Sequence, residues 1–285
     1  MHVVTRECEG RTAIVTGASR GIGAAIAQRL ASAGASVAVL ARSLETHPPD
    51  MPGTLLDVVA AIDRDGGRAT AIRCDVLDSE SRKRAVATVH ERFGPVDILV
   101  NNAAYGRYKP FESFTDRDVS LTLEANVRAP LEFSQLVVPD MRARGRGWIL
   151  NISSATAEHP AGPPFIAWEQ MGGHMLYGCS KAALNRFSSG LAAELYDAGI
   201  AVNALAPVAA VITPGVEAMG IAQWLEPSMI EPVEAMAEAA VALCSCDPSR
   251  VTGRVAYSLR LLEELKRPLR TLDGKSLYAG PLPAS

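Results

Sequence analysis

Short apolar runs rich in β-branched residues recur along this chain, separated by helix-period segments, and that alternation restricts the fold more than any other feature. Thr12 to Thr16, Ser36 to Ala41, Ala69 to Cys74, Ile98 to Asn101, Gly147 to Ile152 and Ile200 to Leu205 read as strands. Helices are expected around Gly21 to Ala33, Thr54 to Asp65, Ser79 to Phe93, Thr115 to Arg144, Met175 to Ala198 and Val233 to Cys244. Strands joined through helices pair in parallel, and parallel sheets are covered on both faces. The expectation is an α/β chain with one doubly wound parallel sheet, in a single domain over 1–285 with its core at about 11–257 and a tail at 258–285. Pro130 and Pro139 should bend or break the fourth helix. Two stretches interrupt the alternation: the proline-bearing Ser43 to Gly53 and the Pro/Gly-rich Ala155 to Gly173. Loops of that length inside a compact domain usually serve function.

Charge and cysteine usage narrow the partners. A formal net charge of −3 and a pI near 6.0 give no electrostatic reason to expect nucleic acid or an anionic membrane. Five scattered cysteines make no disulfide framework and suit a reducing cytosol. Cys244-Ser245-Cys246 has no second ligand cluster at metal spacing, so no metal is expected. Met1 to Gly10 has no apolar segment of the signal-peptide kind, and Ile200 to Val216 is broken by Asn203, Pro207, Thr213 and Pro214. A soluble cytoplasmic protein is the expectation.

The turn Thr16-Gly17-Ala18-Ser19-Arg20-Gly21-Ile22-Gly23 follows the first strand and opens the first helix. Glycines at Gly17, Gly21 and Gly23 permit tight turning and close backbone approach, while a helix N-terminus offers N–H groups to a pyrophosphate. After the second strand comes Ala41-Arg42-Ser43, with no acid to hold a free ribose 2′-hydroxyl. Arg42, with Arg20 inside the turn, favours NADP(H) over NAD(H). The competing reading has Arg42 merely projecting into water.

Tyr177-Gly178-Cys179-Ser180-Lys181 places a phenol and an ammonium one helical turn apart on one face. A phenol near pKa 10 is a poor acid-base group at neutral pH, and a nearby positive charge should lower that value.

These motifs, with Cys74-Asp75-Val76, Asn101-Asn102-Ala103-Ala104, Asn126 and Asn151-Ile152-Ser153-Ser154 in order, make the chain resemble the short-chain dehydrogenase/reductase family from about Arg11 to about Val255. The resemblance implies a Rossmann-type sheet and an oxidoreductase acting on CH–OH donors with NAD(P). It implies a catalytic set of Asn126, Ser154, Tyr177 and Lys181, with Ser153 competing for the serine role. Tyr177 would exchange a proton with the substrate oxygen, Ser154 would position that oxygen, Lys181 would hold the nicotinamide ribose and tune Tyr177, and Asn126 would anchor a proton-relaying water. Gly17, Ser19, Arg20, Gly21, Ile22, Gly23, Arg42 and Ser43 would line the phosphates. Asp75 and Val76 would meet the adenine, Asn102 and Ala103 the adenosine ribose, and Thr213 the nicotinamide carboxamide. A homodimer or homotetramer is implied.

The chain also departs from the family. Tyr177 stands further from Ser154 than the family places it, so an insertion lies beside the site. Its Trp168 and Met171 are candidate substrate contacts, with a plain surface loop as the alternative, and its His174 reads as solvent-facing or locally hydrogen-bonded. Pro207-Val208 replaces the family's Pro-Gly, and Thr213 falls one position late. Leu259, Leu261, Leu262 and Leu265 could form one docking face. The runs Arg82-Lys83-Arg84 and Arg142, Arg144, Arg146 read as solvated. The Pro-rich loop before Thr54, the later Thr213 and the tail after Val255 are similar to a hydroxysteroid-dehydrogenase-like or citronellol-type branch. The functional expectation is hydride transfer between NADP(H) and a secondary alcohol or carbonyl of a mainly apolar substrate. The alternatives are a 3-oxoacyl-thioester reductase and an idle dinucleotide-binding sensor or scaffold.

Overall fold

The computed structural model describes residues 6–47, 51–218 and 225–283. Its elements run β1 (Thr12–Thr16), α1 (Gly21–Ser32), β2 (Ser36–Ala41), α2 (Leu55–Arg64), β3 (Arg68–Arg73), α3 (Ser79–Phe93), β4 (Ile98–Asn101), α4 (Asp116–Leu123) and α5 (Ala129–Arg144). They continue as β5 (Gly147–Ile152), α6 (Ala167–Met171), α7 (Met175–Leu195), β6 (Ile200–Ala206), α8 (Pro214–Ala218), α9 (Val233–Ser245), β7 (Val255–Tyr257) and α10 (Ser258–Glu264).

Seven parallel strands form one sheet in the order β3-β2-β1-β4-β5-β6-β7. Every residue of β1, β4, β5 and β6 is buried, which is why these strands read as continuous apolar runs. The order reverses between β1 and β4, and a doubly wound sheet opens its ligand crevice at such a reversal. On one face α1 and α9 bring Ile26, Leu30, Met236 and Val241 onto the sheet. On the other α3, α5 and α7 bring Val86, Phe133, Val137 and Leu195.

The six expected strands are present, with shifts of a residue at the ends of β3 and β6. The seventh, β7, has three residues and pairs with β6 through Ala204 and Val255. So short a strand has no period of its own to read. The described part of Ser43 to Gly53 holds neither helix nor strand, while Pro48, Pro49 and Asp50 lie outside the described residues.

The segment expected as one bent helix from Thr115 to Arg144 is two helices joined by a π-turn at Glu124–Arg128. Neither proline breaks it. Pro130 sits in the first turn of α5, where a missing N–H costs nothing, and Pro139 is carried inside α5. The wide turn buries Asn126 completely.

Arg82, expected in water, is internal, whereas Arg142, Arg144 and Arg146 are exposed as expected. Arg82 is fully buried and bonds Glu124 Oε1 at 3.0 Å, Glu132 and the Val76 carbonyl. Arg144 and Arg146 reach the buried Asp97 at 3.1 and 3.5 Å. In the tail, Leu261 and Leu262 join the core but Leu265 is exposed, so the expected leucine face docks in part only. Arg267 strengthens that docking. It donates to Glu7 at 2.7 and 2.9 Å and to Glu238 at 2.6 Å, while Glu238 also receives Arg29 Nε at 2.7 Å. Arg29 and Glu238 are each 1% exposed.

One carboxylate thus serves two guanidiniums from α1 and the tail. Glu238→Ala would strand the buried Arg29 without a counter-charge, while Arg267 keeps Glu7, and a stranded buried charge typically costs about 3–5 kcal/mol. Equilibrium urea unfolding should show a loss of that size, and a loss below about 1 kcal/mol would contradict the bridging role.

Candidate active site

At the reversal point the glycine turn meets the end of β4 with no space between them. A methyl group on Gly23 would lie 2.4 Å from Asn102 Nδ2 and 2.5 Å from the Gly17 carbonyl oxygen. Gly17 and Gly21 have φ of 65° and 55°, which side chains rarely adopt. Asn102 Nδ2 donates to the carbonyls of Thr16 and Gly17 at 2.9 and 3.1 Å. The backbone N–H groups of Asn102 and Ala103 both donate to Thr16 Oγ1 at 3.0 Å. Ser19 is buried, and Ile22 lies against the core under the turn.

The first turn of α1 is left open to an anion. Helices α2 and α4 are closed by capping boxes, Thr54 with Asp57 and Thr115 with Asp118. Helix α1 has Arg20 at its N-cap and no side-chain cap, so its leading N–H groups face the crevice unclaimed by a capping oxygen. Arg20 Nη2 donates to Ser43 Oγ at 3.1 Å and to the Gly53 carbonyl at 3.0 Å, tying the turn to the segment after β2.

Arg42 is exposed and lines an open cleft of about 460 Å³ with Arg73, Arg84, Asp75 and Ser81. Asp75 is turned partly inward, since its Oδ1 accepts from Leu77 N–H at 3.0 Å. Val76 and Ala103 share a small recess with Thr16, Ala125 and Phe133.

Tyr177 and Lys181 occupy the first turns of α7, beside the end of β5. Lys181 is 2% exposed, donates Nζ to the Ile152 carbonyl at 2.7 Å and lies 5.5 Å from the centre of the Tyr177 ring. Burial brings its pKa down to about 8. The Tyr177 hydroxyl is pushed well above its usual value, first by burial and then by the neighbouring Tyr108. This differs from the expected lowering. Lys181 is committed to a carbonyl beneath the ring, so desolvation of the phenol outweighs the ammonium.

Ser154 is half-exposed and its Oγ accepts from Thr156 N–H at 3.2 Å and Thr156 Oγ1–H at 2.9 Å. Gly178 seats α7 on this turn, since a methyl group there would come within 2.4 Å of the Thr156 carbonyl. Ser153, just past β5, is 4% exposed, and its Oγ has no hydrogen-bond partner. Asn126 is engaged through both ends of its side-chain amide. Its Nδ2 donates to the Tyr105 carbonyl at 2.8 Å and to Ser180 Oγ at 2.9 Å, and its Oδ1 accepts from Tyr105 N–H at 2.8 Å. The side chain is therefore a brace between the loop after β4 and α7.

That loop supplies residues the motifs did not single out. Gly106 lies against the Tyr177 ring, where a methyl group would approach to 2.9 Å, and the Tyr108 ring is 6.0 Å from it, centre to centre. Aromatics flanking a glycine directly after Asn101-Asn102-Ala103-Ala104 were the available signal. The loop joins the insertion where Lys109 N–H donates to the Gly173 carbonyl at 3.3 Å. At the insertion's other end Tyr257 donates its hydroxyl to Glu158 at 2.5 Å. His174 is buried, with Nε2 3.0 Å from Glu169 and Nδ1 3.2 Å from the Gly172 carbonyl. The side chains of Trp168 and Met171 lie outside the described residues. Thr213 rests its methyl group against Gly21 and caps α8 by accepting from Val216 N–H at 3.3 Å.

The family model for short chain dehydrogenases matches residues 11–220. Hydroxysteroid dehydrogenase-like protein 2 of Danio rerio is 32% identical over 260 residues, covering 91% of this chain and 60% of that protein. The 7alpha-hydroxysteroid dehydrogenase of Escherichia coli is 34% identical over 254 residues, covering 87% and 92%. A metagenomic short-chain oxidoreductase solved in complex with NADP superposes with a TM-score of 0.69 at 28% identity, covering 88% of this chain and 98% of that one. The chain spans about 60% of the length of several curated relatives it matches.

The buried ammonium carries a pH signature. Unfolded, Lys181 stays charged up to its ordinary value of 10.5, whereas folded it loses its proton near 8. The unfolded chain binds the extra proton in that window, so wild-type stability gains there as pH rises, and below the window the full burial penalty applies. Relative to Lys181→Met, the wild type should gain about 2 kcal/mol between pH 7.5 and pH 10 in urea unfolding. A difference that does not move with pH would contradict a buried charged lysine.

Proposed function

The chain belongs to the short-chain dehydrogenase family, and from that premise we propose that it transfers hydride between NADP(H) and a secondary alcohol or carbonyl of a mainly apolar substrate. The observation that carries this reading is the meeting, at one end of one sheet, of an uncapped glycine turn with the Ser154, Tyr177 and Lys181 side chains.

A dinucleotide suits these residues. The cradle at Gly17, Gly21 and Gly23 admits backbone where a side chain would clash, and the α1 N–H groups face it. Arg42 and Arg73 line the cleft at the ends of β2 and β3, and no acid follows β2 to claim a ribose 2′-hydroxyl. The neighbouring structure with NADP supports the same preference. When bound, the nicotinamide supplies or accepts the hydride.

The chain's own groups handle the proton and the geometry. Burial keeps Tyr177 protonated at neutral pH, so in the reducing direction its hydroxyl can give a proton to the oxygen of a carbonyl being reduced. Ser154 Oγ orients that oxygen. Lys181, held on the Ile152 carbonyl, offers its remaining protons to the ribose side of the crevice. Asn126 keeps the Tyr105 loop and Ser180 of α7 in register, which supports Gly106 against the Tyr177 ring. Asp75 and Val76 fall to the adenine, Asn102 and Ala103 to its ribose, and Thr213 to the nicotinamide end. Tyr108 gives the Tyr177 side of the crevice an aromatic wall, and the insertion exposes the apolar Phe165 and Ile166. The similarity to the 7alpha-hydroxysteroid dehydrogenase of Escherichia coli supports an apolar substrate. No helix among the described residues is long and apolar enough to cross a membrane. We take the protein to be a cytoplasmic homodimer or homotetramer.

A cofactor-consumption screen over ketones, aldehydes and secondary alcohols with both dinucleotides tests the activity. Fluorescence titration tests the cofactor preference. Wild type should bind NADPH at least about tenfold more tightly than NADH, and Arg42→Asp should weaken NADPH by about 1.4 kcal/mol or more while sparing NADH. Tighter binding of NADH by the wild type would overturn the preference.

A further inference from the structure

Glu231 is a carboxylate with 1% exposure that none of the motifs touches. Its Oε2 accepts from the N–H groups of Val208 and Ala209 at 2.9 and 3.3 Å. Both of its oxygens accept from the hydroxyl of Ser258, at 2.6 and 2.9 Å, and Ser258 is the fully buried first residue of α10. The backbone beside it is knitted to the same loop, since Ala210 N–H donates to the Met229 carbonyl at 2.8 Å and Glu231 N–H to the Ala210 carbonyl at 2.9 Å. The loop so held begins at Pro207-Val208, where the family carries Pro-Gly, and ends at Thr213 with its methyl group on Gly21.

An ionised carboxylate is an acceptor only, and here it meets three donors from two parts of the chain in a place water does not reach. The loop needs such a tie. The Thr213 end touches the glycine turn, and the backbone N–H groups of Val208 and Ala209 both go to this one carboxylate, with Val208 N–H also reaching Ser258 Oγ at 3.4 Å. The partner that closes the arrangement is the start of the tail, so the tail's docking and the loop's position are one structural unit.

We propose that Glu231 is a positioning residue that fastens the Pro207–Thr213 loop to Ser258 of the tail helix, and thereby sets how tightly the nicotinamide half of the cofactor is held. This rests on the dinucleotide reading of the glycine turn given above. Its effect is confined to one half of the cofactor, because Arg42, Asp75 and Asn102 lie at the other end of the crevice. The conservative amide keeps the tie. A glutamine at this position can accept from Val208 N–H and donate to Ser258 Oγ.

The experiment compares full-length wild type, Glu231→Ala, Glu231→Gln and Ser258→Ala in fluorescence titration with NADPH. Calorimetric titration with adenosine 2′,5′-bisphosphate, which carries the adenine half alone, is run in parallel. Glu231→Ala should raise the NADPH Kd at least tenfold and leave the bisphosphate Kd within twofold. Glu231→Gln should stay within threefold of wild type for both ligands. Should the alanine variant not fold, Ser258→Ala carries the test with an expected threefold or greater rise for NADPH alone. An unchanged NADPH Kd in the variants overturns the proposal, as does equal weakening of both ligands, which marks a merely structural residue. A wild type that binds neither ligand defeats the dinucleotide reading together with this inference, whereas one that binds both with no difference among variants defeats the inference alone.

Discussion

Between Gly23 and the Asn102 side chain there is no room for a methyl group, and the architecture of the crevice follows from that closeness. Because the turn carries no side chains there, the ends of β1 and β4 can share one set of hydrogen bonds through Thr16 and Asn102. Because the turn is that tight, α1 starts directly above the sheet with its N–H groups exposed to the crevice and no side-chain cap to occupy them. Thr213 closes the other flank by resting on Gly21. A phosphate-bearing ligand therefore meets backbone, and every remaining part of the site is arranged around that seat.

The surrounding loops owe their positions to polar side chains withdrawn from water. Asn126 spends both ends of its amide on Tyr105 and Ser180, Glu231 spends its carboxylate on the loop after β6 and on Ser258, and Lys181 rests on the Ile152 carbonyl. Such groups are costly to bury unless each finds its partners, so they specify one loop geometry over others. Desolvation also sets the protonation of Tyr177: its phenol, against Gly106 and beside Tyr108, stays neutral even with an ammonium close by. Proton donation in the reducing direction fits that state.

The sequence was most readable where the signal is local. Four strands announced themselves because full burial makes them largely apolar runs, and Tyr177 with Lys181 because four residues make one helical turn. Structure that depends on distant partners was not readable. Arg82 looked like part of a solvated run because Glu124 and Glu132, which bury it, lie on another helix. Arg29, Glu238 and Arg267 are far apart in the chain and meet only once the sheet is formed. Pro130 and Pro139 pointed to a bend or break in this segment, but the interruption falls at the π-turn Glu124–Arg128, where Asn126 is bonded to the distant Tyr105. Tyr108 and Gly106 belong to the site by folding alone.

The central claim is that this crevice moves hydride to carbon while Tyr177 supplies the proton. It is tested most directly by supplying NADPH deuterated at the transferring C4 position with a reducible ketone and reading the alcohol by mass spectrometry. One deuterium should appear at the carbinol carbon with wild type. Tyr177→Phe, with its fold and NADPH binding intact, should form that alcohol about 10² times more slowly or worse. Alcohol free of deuterium, or a Tyr177→Phe variant keeping more than about a tenth of the wild-type rate, would contradict the account.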